Sequence, residues 1–312
     1  MSECQNPYRS LEANQSLIDP ILKEPVERYV LENGLTAVLK PDRSTALCSV
    51  QVWVKTGSIH EDDKIGAGLS HYLEHMLFKG TEKRGGREIS EKEQSGGGYI
   101  NAYTTFDRTV YYIDIPSENV GVALDVLSDS VFRSTLPKDE VEKEREVIMR
   151  EIDMGEDDPD QKLSRALFET SFKEHPFRYP IIGYKDLFSQ VTREDLVAYY
   201  DRRYSPNNAV LVVAGDFENS DMKKRIERDF GSVTRKTLSS VFIPSEPMQL
   251  AERECHLFED VQITRAGIGF QTPSLIHPDT PALDALSMIL GHGNSSMLST
   301  HLREELKLVH AI

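Results

Sequence analysis

The stretch Gly68-Leu-Ser-His-Tyr-Leu-Glu-His-Met-Leu-Phe78 decides how this 312-residue chain is interpreted. On an α-helix, His71 and His75 are about 40° apart around the axis, so both imidazoles project from one face. Glu74 lies about 60° to the other side of His71. The other residues of the stretch are nearly all apolar, which predicts a buried helix. Three ionisable groups in a buried helix need a partner.

A second predicted helix, residues 141–152, supplies candidates for that partner. With about 100° per residue, Glu144 and Glu151 point inward together with the aliphatic side chains. Glu142 and Glu146 fall on the outer face, where a solvated carboxylate is the simpler interpretation. An inward carboxylate is unfavourable unless a cation receives it, so Glu144 and Glu151 are candidates for a metal site or its support.

Two histidines and a glutamate can also hydrogen-bond one another in a core without any metal, and an isolated His-x-x-x-His pair more often does so. Here Glu74 and the inward Glu151 favour a metal. Two imidazoles and one carboxylate, with a fourth position open, form the ligand set of a hydrolytic zinc site. His-x-x-Glu-His is the inverzincin motif. We therefore predict that His71, His75 and Glu151 bind Zn²⁺.

The other two acids receive roles in the same hypothesis. Zinc lowers the pKa of a bound water to about 7, so a carboxylate base suffices near neutrality. Glu74 is predicted to accept a proton from that water and later to donate one to the leaving amine. Glu144 is predicted to orient a histidine through its free ring N–H. Together these residues indicate a metal-dependent hydrolase.

Composition and charge narrow the class of protein. The chain has 36 basic and 51 acidic residues, a net charge of −15, with 39% hydrophobic and 28% charged residues. These values predict a soluble globular protein, and the length favours two domains. The acidic excess argues against nucleic-acid binding, which needs clustered Lys and Arg, and favours basic partners or substrates.

Cysteine usage and hydropathy bear on the compartment. Cys4, Cys48 and Cys255 are widely separated and lack Cys-x-x-Cys spacing, which argues against a disulfide framework and a cysteine zinc site. No window approaches the run of about 18 apolar residues of a membrane span, and the first residues lack a signal-peptide pattern. We expect a cytoplasmic protein without a membrane partner.

The order of elements predicts an α+β fold. Asn33-Gly34 between apolar runs predicts a hairpin, and the alternation over residues 48–54 predicts a half-buried strand. Further strands are predicted over residues 100–115 and 209–214. Helices are predicted over residues 65–79, 90–93, 119–130, 138–154, 161–174 and 193–204. Strands and helices outside strict βαβ alternation predict a mixed, largely antiparallel sheet with helices packed on one face.

The domain organisation is predicted from composition shifts. The predicted segments are an N-terminal arm (residues 1–24), a catalytic domain (25–235), a linker (236–255) and an incomplete second domain (256–312). The linker assignment rests on its prolines and serines. In the last segment we predict a strand over residues 264–271, helices over 280–290 and 295–306, and the start of another strand at the end.

The chain resembles the M16 metallopeptidases, the family of pitrilysin, insulinase and the mitochondrial processing peptidase. The resemblance rests on residues 68–81, 96–104 and 144–151, and 75 residues separate His75 from Glu151. Residues 175–183 and 204–209 are also similar to family segments. The similarity therefore covers the chain from about residue 25 to its end.

The resemblance implies a clamshell of repeated α+β domains with zinc in one half. It also implies that an extended peptide adds as a strand beside Asn101 and Ala102, held by main-chain hydrogen bonds. A simpler alternative is that Asn101 is an ordinary polar residue inside a strand, without a role in binding. The implied partners are an unfolded or small polypeptide substrate and a second M16-like domain or subunit that completes the clamshell. His292, His301 and His310 match none of the family's metal positions.

Three functions are compatible with these residues. The leading hypothesis is a zinc endopeptidase or oligopeptidase. A non-catalytic M16-like subunit is the second, and a zinc-binding fragment of a longer protein without efficient turnover is a variant of it. A zinc-stabilised structural domain is the third, although structural sites usually have four protein ligands and are rich in cysteine. The physiological substrate, the cleavage preference and the oligomeric state are left open.

Overall fold

The computed structural model describes residues 26–312, so the predicted arm of residues 1–24 lies outside the described part. The chain divides into two compact units, one ending at Gly267 and the other covering Ile268–Ile312. The predicted domain boundaries after residues 235 and 255 stay predictions. Within the described residues, no helix is both long and apolar enough to cross a membrane.

The first unit is built on a mixed sheet of six strands within the described residues. The strands are β1 (Glu27–Val30), β2 (Thr36–Pro41), β3 (Leu47–Val54), β4 (Tyr99–Thr104), β5 (Thr109–Pro116) and β6 (Ala209–Gly215). Their order in the sheet is β1-β2-β6-β3-β5-β4, and only β2 and β6 pair in parallel. The predicted mixed, largely antiparallel sheet is confirmed, and β4 lies at its edge.

Helices pack against one face of this sheet. They are α1 (Leu69–Met76), α2 (Gly86–Ser95), α3 (Val120–Phe132), α4 (Lys138–Asp157), α5 (Pro159–Ser171), α6 (Lys185–Phe188), α7 (Arg193–Arg203) and α8 (Asn219–Phe230). Along β3, Val50 and Val52 are fully buried while Gln51 and Trp53 are only half-buried. The valines join Leu73 of α1 in one hydrophobic cluster, which forms the core between the sheet and the helices.

Helix α1 is shorter than the predicted span of residues 65–79. Gly66 and Gly68 have φ angles of 80° and 76°, which L side chains rarely adopt, so the chain turns there instead of continuing a helix. A Cβ on Gly68 would also lie 2.2 Å from the carbonyl oxygen of Ile182. The helix that carries the histidines therefore begins at Leu69, directly after Gly68, and only glycine fits at residue 68.

Helix α8 was missing from the sequence-based prediction, although its signal was present. Met222, Ile226 and Phe230 follow one another at intervals of four residues and are all buried. This is the spacing of the apolar face of an amphipathic helix.

The predicted strand over residues 264–271 was wrong. Within the described residues this segment pairs with no strand, and Ile268 and Phe270 are 80% and 85% exposed. An isolated extended segment leaves its backbone groups to water and is not a strand. In the second unit the helix over residues 280–290 is confirmed as α9 (Thr280–Gly291). The predicted helix over residues 295–306 is reduced to the π-helix Ser299–Glu305, and the final strand is absent from the described residues.

The predicted linker, residues 236–255, is part of the first unit. Glu246 accepts hydrogen bonds from the backbone N–H groups of Lys173, Glu174 and His175, each at 2.9 Å. Arg253 donates to the carbonyl oxygen of Ser171 at 2.9 Å, at the end of α5. The segment has no helix or strand, but specific contacts join it to residues 171–175 at the end of α5.

Replacing Gly68 by Ala tests the start of α1. The side chain would demand an unfavourable φ and would meet the Ile182 carbonyl, so we expect a loss of at least about 2 kcal/mol in the free energy of unfolding. Gly121→Ala is the matched control, because an added Cβ there contacts only the end of the Arg225 side chain within 4 Å. Urea unfolding of both variants gives the comparison; equal stability would contradict this account of the turn.

Candidate active site

Two histidines from α1 and one glutamate from α4 meet where these helices pack together. Nε2 of His75 lies 3.7 Å from Oε2 of Glu151, and Nε2 of His71 lies 3.9 Å from the same oxygen. One ligand atom from each residue lies within 4.8 Å of the others, and no other such group of three occurs in the described residues. The hydroxyl of Tyr72 donates to the carbonyl oxygen of Val141 and ties the two helices together.

The donor set of this cluster fits a zinc ion. Burial lowers the pKa of His71 to about 4, and the neighbouring His75 adds to the shift, so the His71 imidazole is neutral near pH 7. The ring centres of the two histidines are 4.7 Å apart. Two imidazole nitrogens and one carboxylate oxygen that converge on one point, with a side open, match a catalytic rather than a structural zinc site.

Glu144 lies behind His75, on the side away from Glu151. Its Oε2 is 3.0 Å from Nδ1 of His75, and its Oε1 accepts a hydrogen bond from Nζ of Lys79. Burial opposes the ionisation of Glu144, but the hydrogen bonds from Lys79 and His75 outweigh it and lower its pKa. An ionised Glu144 accepts the Nδ1–H of His75, which leaves the Nε2 lone pair directed toward Glu151.

The four glutamates of residues 141–152 are buried or exposed as the helical period predicts. Glu144 is buried and Glu151 is half-buried, whereas Glu142 and Glu146 are exposed. Sequence reasoning missed Lys79, which lies just past the end of α1 and within the predicted span of residues 65–79, where it follows His75 by four residues. That spacing was a usable signal for its contact with Glu144.

Glu74 lies between α1 and the edge strand β4. Burial raises the pKa of its carboxyl, and the hydroxyl and backbone N–H of Thr104, which face the carboxyl, partly offset the effect. A carboxylate with a raised pKa is a stronger base than an exposed one. The position and the chemistry of Glu74 suit a general base.

Asn101 and Ala102 lie in β4, which has a sheet neighbour on one side only within the described residues. The side-chain Oδ1 of Asn101 accepts the backbone N–H of Ala102 at 2.8 Å. Its Nδ2 donates to the hydroxyl of Tyr99 at 3.1 Å. Asn101 is exposed, so it is not a polar residue enclosed within a strand. The outer edge of β4 therefore offers backbone groups that an added strand can use.

The start of α1 is fixed by two neighbouring segments. Oε2 of Glu61 accepts the N–H of Gly68 at 3.1 Å, and its Oε1 accepts the N–H of Ser70 at 2.9 Å. On another side, Gly183 has a φ of 89° and Tyr184 donates its N–H to the carbonyl oxygen of Gly66 at 2.9 Å. Sequence reasoning missed Glu61, because a single acid in a polar loop carries no signal.

The structure does not bring the remaining histidines of the C-terminal part into a metal cluster. His292, His301 and His310 belong to the second unit. Nδ1 of His301 lies 2.8 Å from Oε2 of Glu305 on the same helix, and both side chains are more than half exposed. The contact between His301 and Glu305 thus lies on the surface of the helix.

Comparison with known proteins places this geometry in a family. The family model described as Insulinase (Peptidase family M16) matches residues 36–185, and that of the Peptidase M16 inactive domain matches residues 190–312. The uncharacterized zinc protease YmxG of Bacillus subtilis is 32% identical over 92% of this chain and 69% of its own length. A probable mitochondrial-processing peptidase subunit beta of Arabidopsis thaliana is 31% identical, over 89% of this chain and 52% of its own length.

A solved structure agrees with these sequence matches. The crystal structure of a protease from Helicobacter pylori has a TM-score of 0.84 to this chain, with 30% sequence identity, and the match covers 92% of this chain and 70% of that one. The predicted resemblance is confirmed by sequence, fold and motif together. The chain belongs to the insulinase family of peptidases, family M16.

Proposed function

We propose that this chain carries the metal centre of a zinc-dependent endopeptidase or oligopeptidase that hydrolyses peptide bonds of unfolded or small polypeptides. The convergence of His71, His75 and Glu151, with ligand atoms within 4.8 Å of one another, is the observation that supports it. The zinc proteases among its relatives are consistent with the proposal.

His71 and His75 would hold the ion through Nε2, and Glu151 through a carboxylate oxygen. Zinc bound there would lower the pKa of a coordinated water to about 7 and polarise a carbonyl group. Glu144 keeps the His75 ring turned so that Nε2 is the free nitrogen. Lys79 in turn holds Glu144 ionised.

Glu74 would move the proton of the reaction. Its carboxylate would accept a proton from the attacking water and pass it to the nitrogen of the leaving amine. Its raised pKa makes it a stronger base than an exposed carboxylate, which favours uptake of the proton. Glu144 is held ionised by Lys79 and His75, and Glu146 is exposed on the other face of α4, so neither takes this place.

The edge of β4 would hold the substrate as an added strand beside Asn101 and Ala102. Main-chain hydrogen bonds then supply affinity whatever the side chains, which suits unfolded polypeptides. The carbonyl of a peptide would replace the Asn101 side chain on the N–H of Ala102. Because Thr104 of the same strand faces Glu74, a peptide bound along β4 would pass next to the proposed base.

A second M16-like domain or subunit would complete the substrate chamber. The Arabidopsis thaliana relative is named as a subunit, and residues 190–312 match the model of the M16 inactive domain. Without that second part, a chain of this kind would bind zinc but turn over slowly. Zinc binding would therefore need only residues of the first unit, whereas efficient cleavage would also need the second domain or subunit.

Glu74→Gln should abolish cleavage while zinc stays bound. The amide cannot take up the proton, so we expect the rate of peptide hydrolysis to fall by at least about 10²-fold. Zinc content, measured by atomic emission after dialysis, should equal that of the wild type. Unchanged hydrolysis would remove Glu74 from the mechanism, and absence of hydrolysis in the wild type as well would favour the non-catalytic alternative.

Glu151→Gln should weaken zinc binding, while Glu146→Gln on the exposed face of the same helix should not. Loss of a ligand should raise the zinc dissociation constant by more than about 100-fold, the upper end of the effect of residues that only orient ligands. Competition with a chromophoric chelator measures the zinc dissociation constant of each variant. The assignment of Glu151 as a ligand fails if the two dissociation constants are the same.

A further inference from the structure

Glu61 is a fully buried carboxylate at the start of the helix that carries both histidines. Its two oxygens accept the backbone N–H groups of Gly68 at 3.1 Å and Ser70 at 2.9 Å. The N–H of Leu69 lies against the same carboxylate and favours its ionised form. Among residues 26–312 no Lys, Arg or His side chain forms an ion pair with it. The charge is thus balanced by the helix start alone.

Helix α1 has no cap of its own. Its N-cap residue is Gly68, which has a left-handed conformation and no side chain to accept a hydrogen bond. The first N–H groups of a helix have no partner within the helix and need one from outside. Glu61, seven residues before Gly68, accepts hydrogen bonds that the side chain of a Ser, Thr, Asp or Asn at the N-cap usually accepts. A negative charge there also interacts favourably with the helix dipole.

The two histidines of the metal cluster are held in different ways. His75 is oriented through Nδ1 by Glu144, which is itself held by Lys79. Nδ1 of His71 is buried but has no hydrogen-bond partner among the described residues. The placement of the His71 ring therefore depends on the backbone of the first turn of α1, where the neighbouring Ser70 N–H is bound to Glu61.

The buried position of Glu61 works against its ionisation. Burial raises the pKa of Glu61 to about 7, although the hydrogen bonds of the helix start oppose the shift. A carboxyl with a raised pKa in the folded state contributes most to stability below its ordinary pKa and loses that contribution as the pH rises toward 7. This pH-dependent contribution is therefore small at neutral pH, whereas the contacts of the carboxyl group with the start of α1 are present in the structure.

We propose that Glu61 is a positioning residue of the metal centre: through the N–H groups of Gly68 and Ser70 it sets the rotation of the first turn of α1 and so directs Nε2 of His71 toward Nε2 of His75 and the Glu151 carboxylate. The proposal rests on the proposed zinc site. It concerns the placement of one ligand, and it assigns Glu61 no contact with the substrate or the ion.

Glu61→Gln tests the proposal in the full 312-residue chain. The amide has nearly the same shape, but its NH₂ group faces a backbone N–H, so at least one of the hydrogen bonds to the helix start is lost. We expect the zinc dissociation constant to rise about 10-fold, as for other residues that orient ligands. The visible absorption spectrum of the Co²⁺-substituted protein should also change, because it reports the geometry of the ligands.

Glu93→Gln is the matched control. Glu93 is also buried, at 4% exposure, and also faces a backbone N–H, that of Ile100, but it lies in α2. Its variant should keep the zinc dissociation constant and the cobalt spectrum of the wild type, even if its melting temperature falls as much as that of Glu61→Gln. Equal losses of zinc affinity in the two variants would overturn the proposal.

A folded Glu61→Gln variant with wild-type zinc affinity and cobalt spectrum would likewise overturn it. If that variant does not fold, Glu61→Asp carries the test, because it keeps the charge but is one methylene too short to reach both N–H groups. Weaker zinc binding by Glu61→Asp supports the proposal, and unchanged binding refutes it. Failure of the zinc site itself is distinguishable, since the wild type would then bind zinc no better than Glu151→Gln.

Discussion

The approach of the Glu151 carboxylate to two imidazoles of α1 is the interaction on which the account of this protein depends. The distances of 3.7 and 3.9 Å are too long for hydrogen bonds, so the three groups do not satisfy one another. The three groups converge without bonding one another, which is the arrangement expected of ligands for a cation. The packing of α1 against α4 brings them together, and the proposed metal site depends on it.

Each group around that contact is held by a different part of the fold. Glu144 of α4, which is itself bound by Lys79, orients His75. His71 is placed by the backbone at the start of its own helix. Glu74 faces the edge strand β4, which joins the proposed proton transfer to the proposed place of the peptide. His71, Glu74 and His75 thus lie on α1, Glu151 reaches them from α4, and the packing of α1 against α4 and β4 keeps the geometry of the site.

Periodicity predicted most of what the structure brings together. The inward direction of Glu144 and Glu151 follows from the helical repeat, and the strand β3 follows from the alternation over residues 48–54. Glu61 could not be found in this way, because its contacts join a loop to a helix start and depend on the tertiary path of the chain. The strand expected over residues 264–271 failed for a related reason: alternation describes a strand only where a neighbouring strand is present to pair with it.

The central claim is most directly tested by locating the ion. X-ray diffraction data from crystals of the zinc-loaded protein, collected on both sides of the zinc absorption edge, should show one anomalous peak bound by Nε2 of His71, Nε2 of His75 and a carboxylate oxygen of Glu151. The distances should be about 2.0–2.2 Å. A peak elsewhere, or a Glu151 carboxylate turned to solvent with the ion absent from the two imidazoles, would contradict the account.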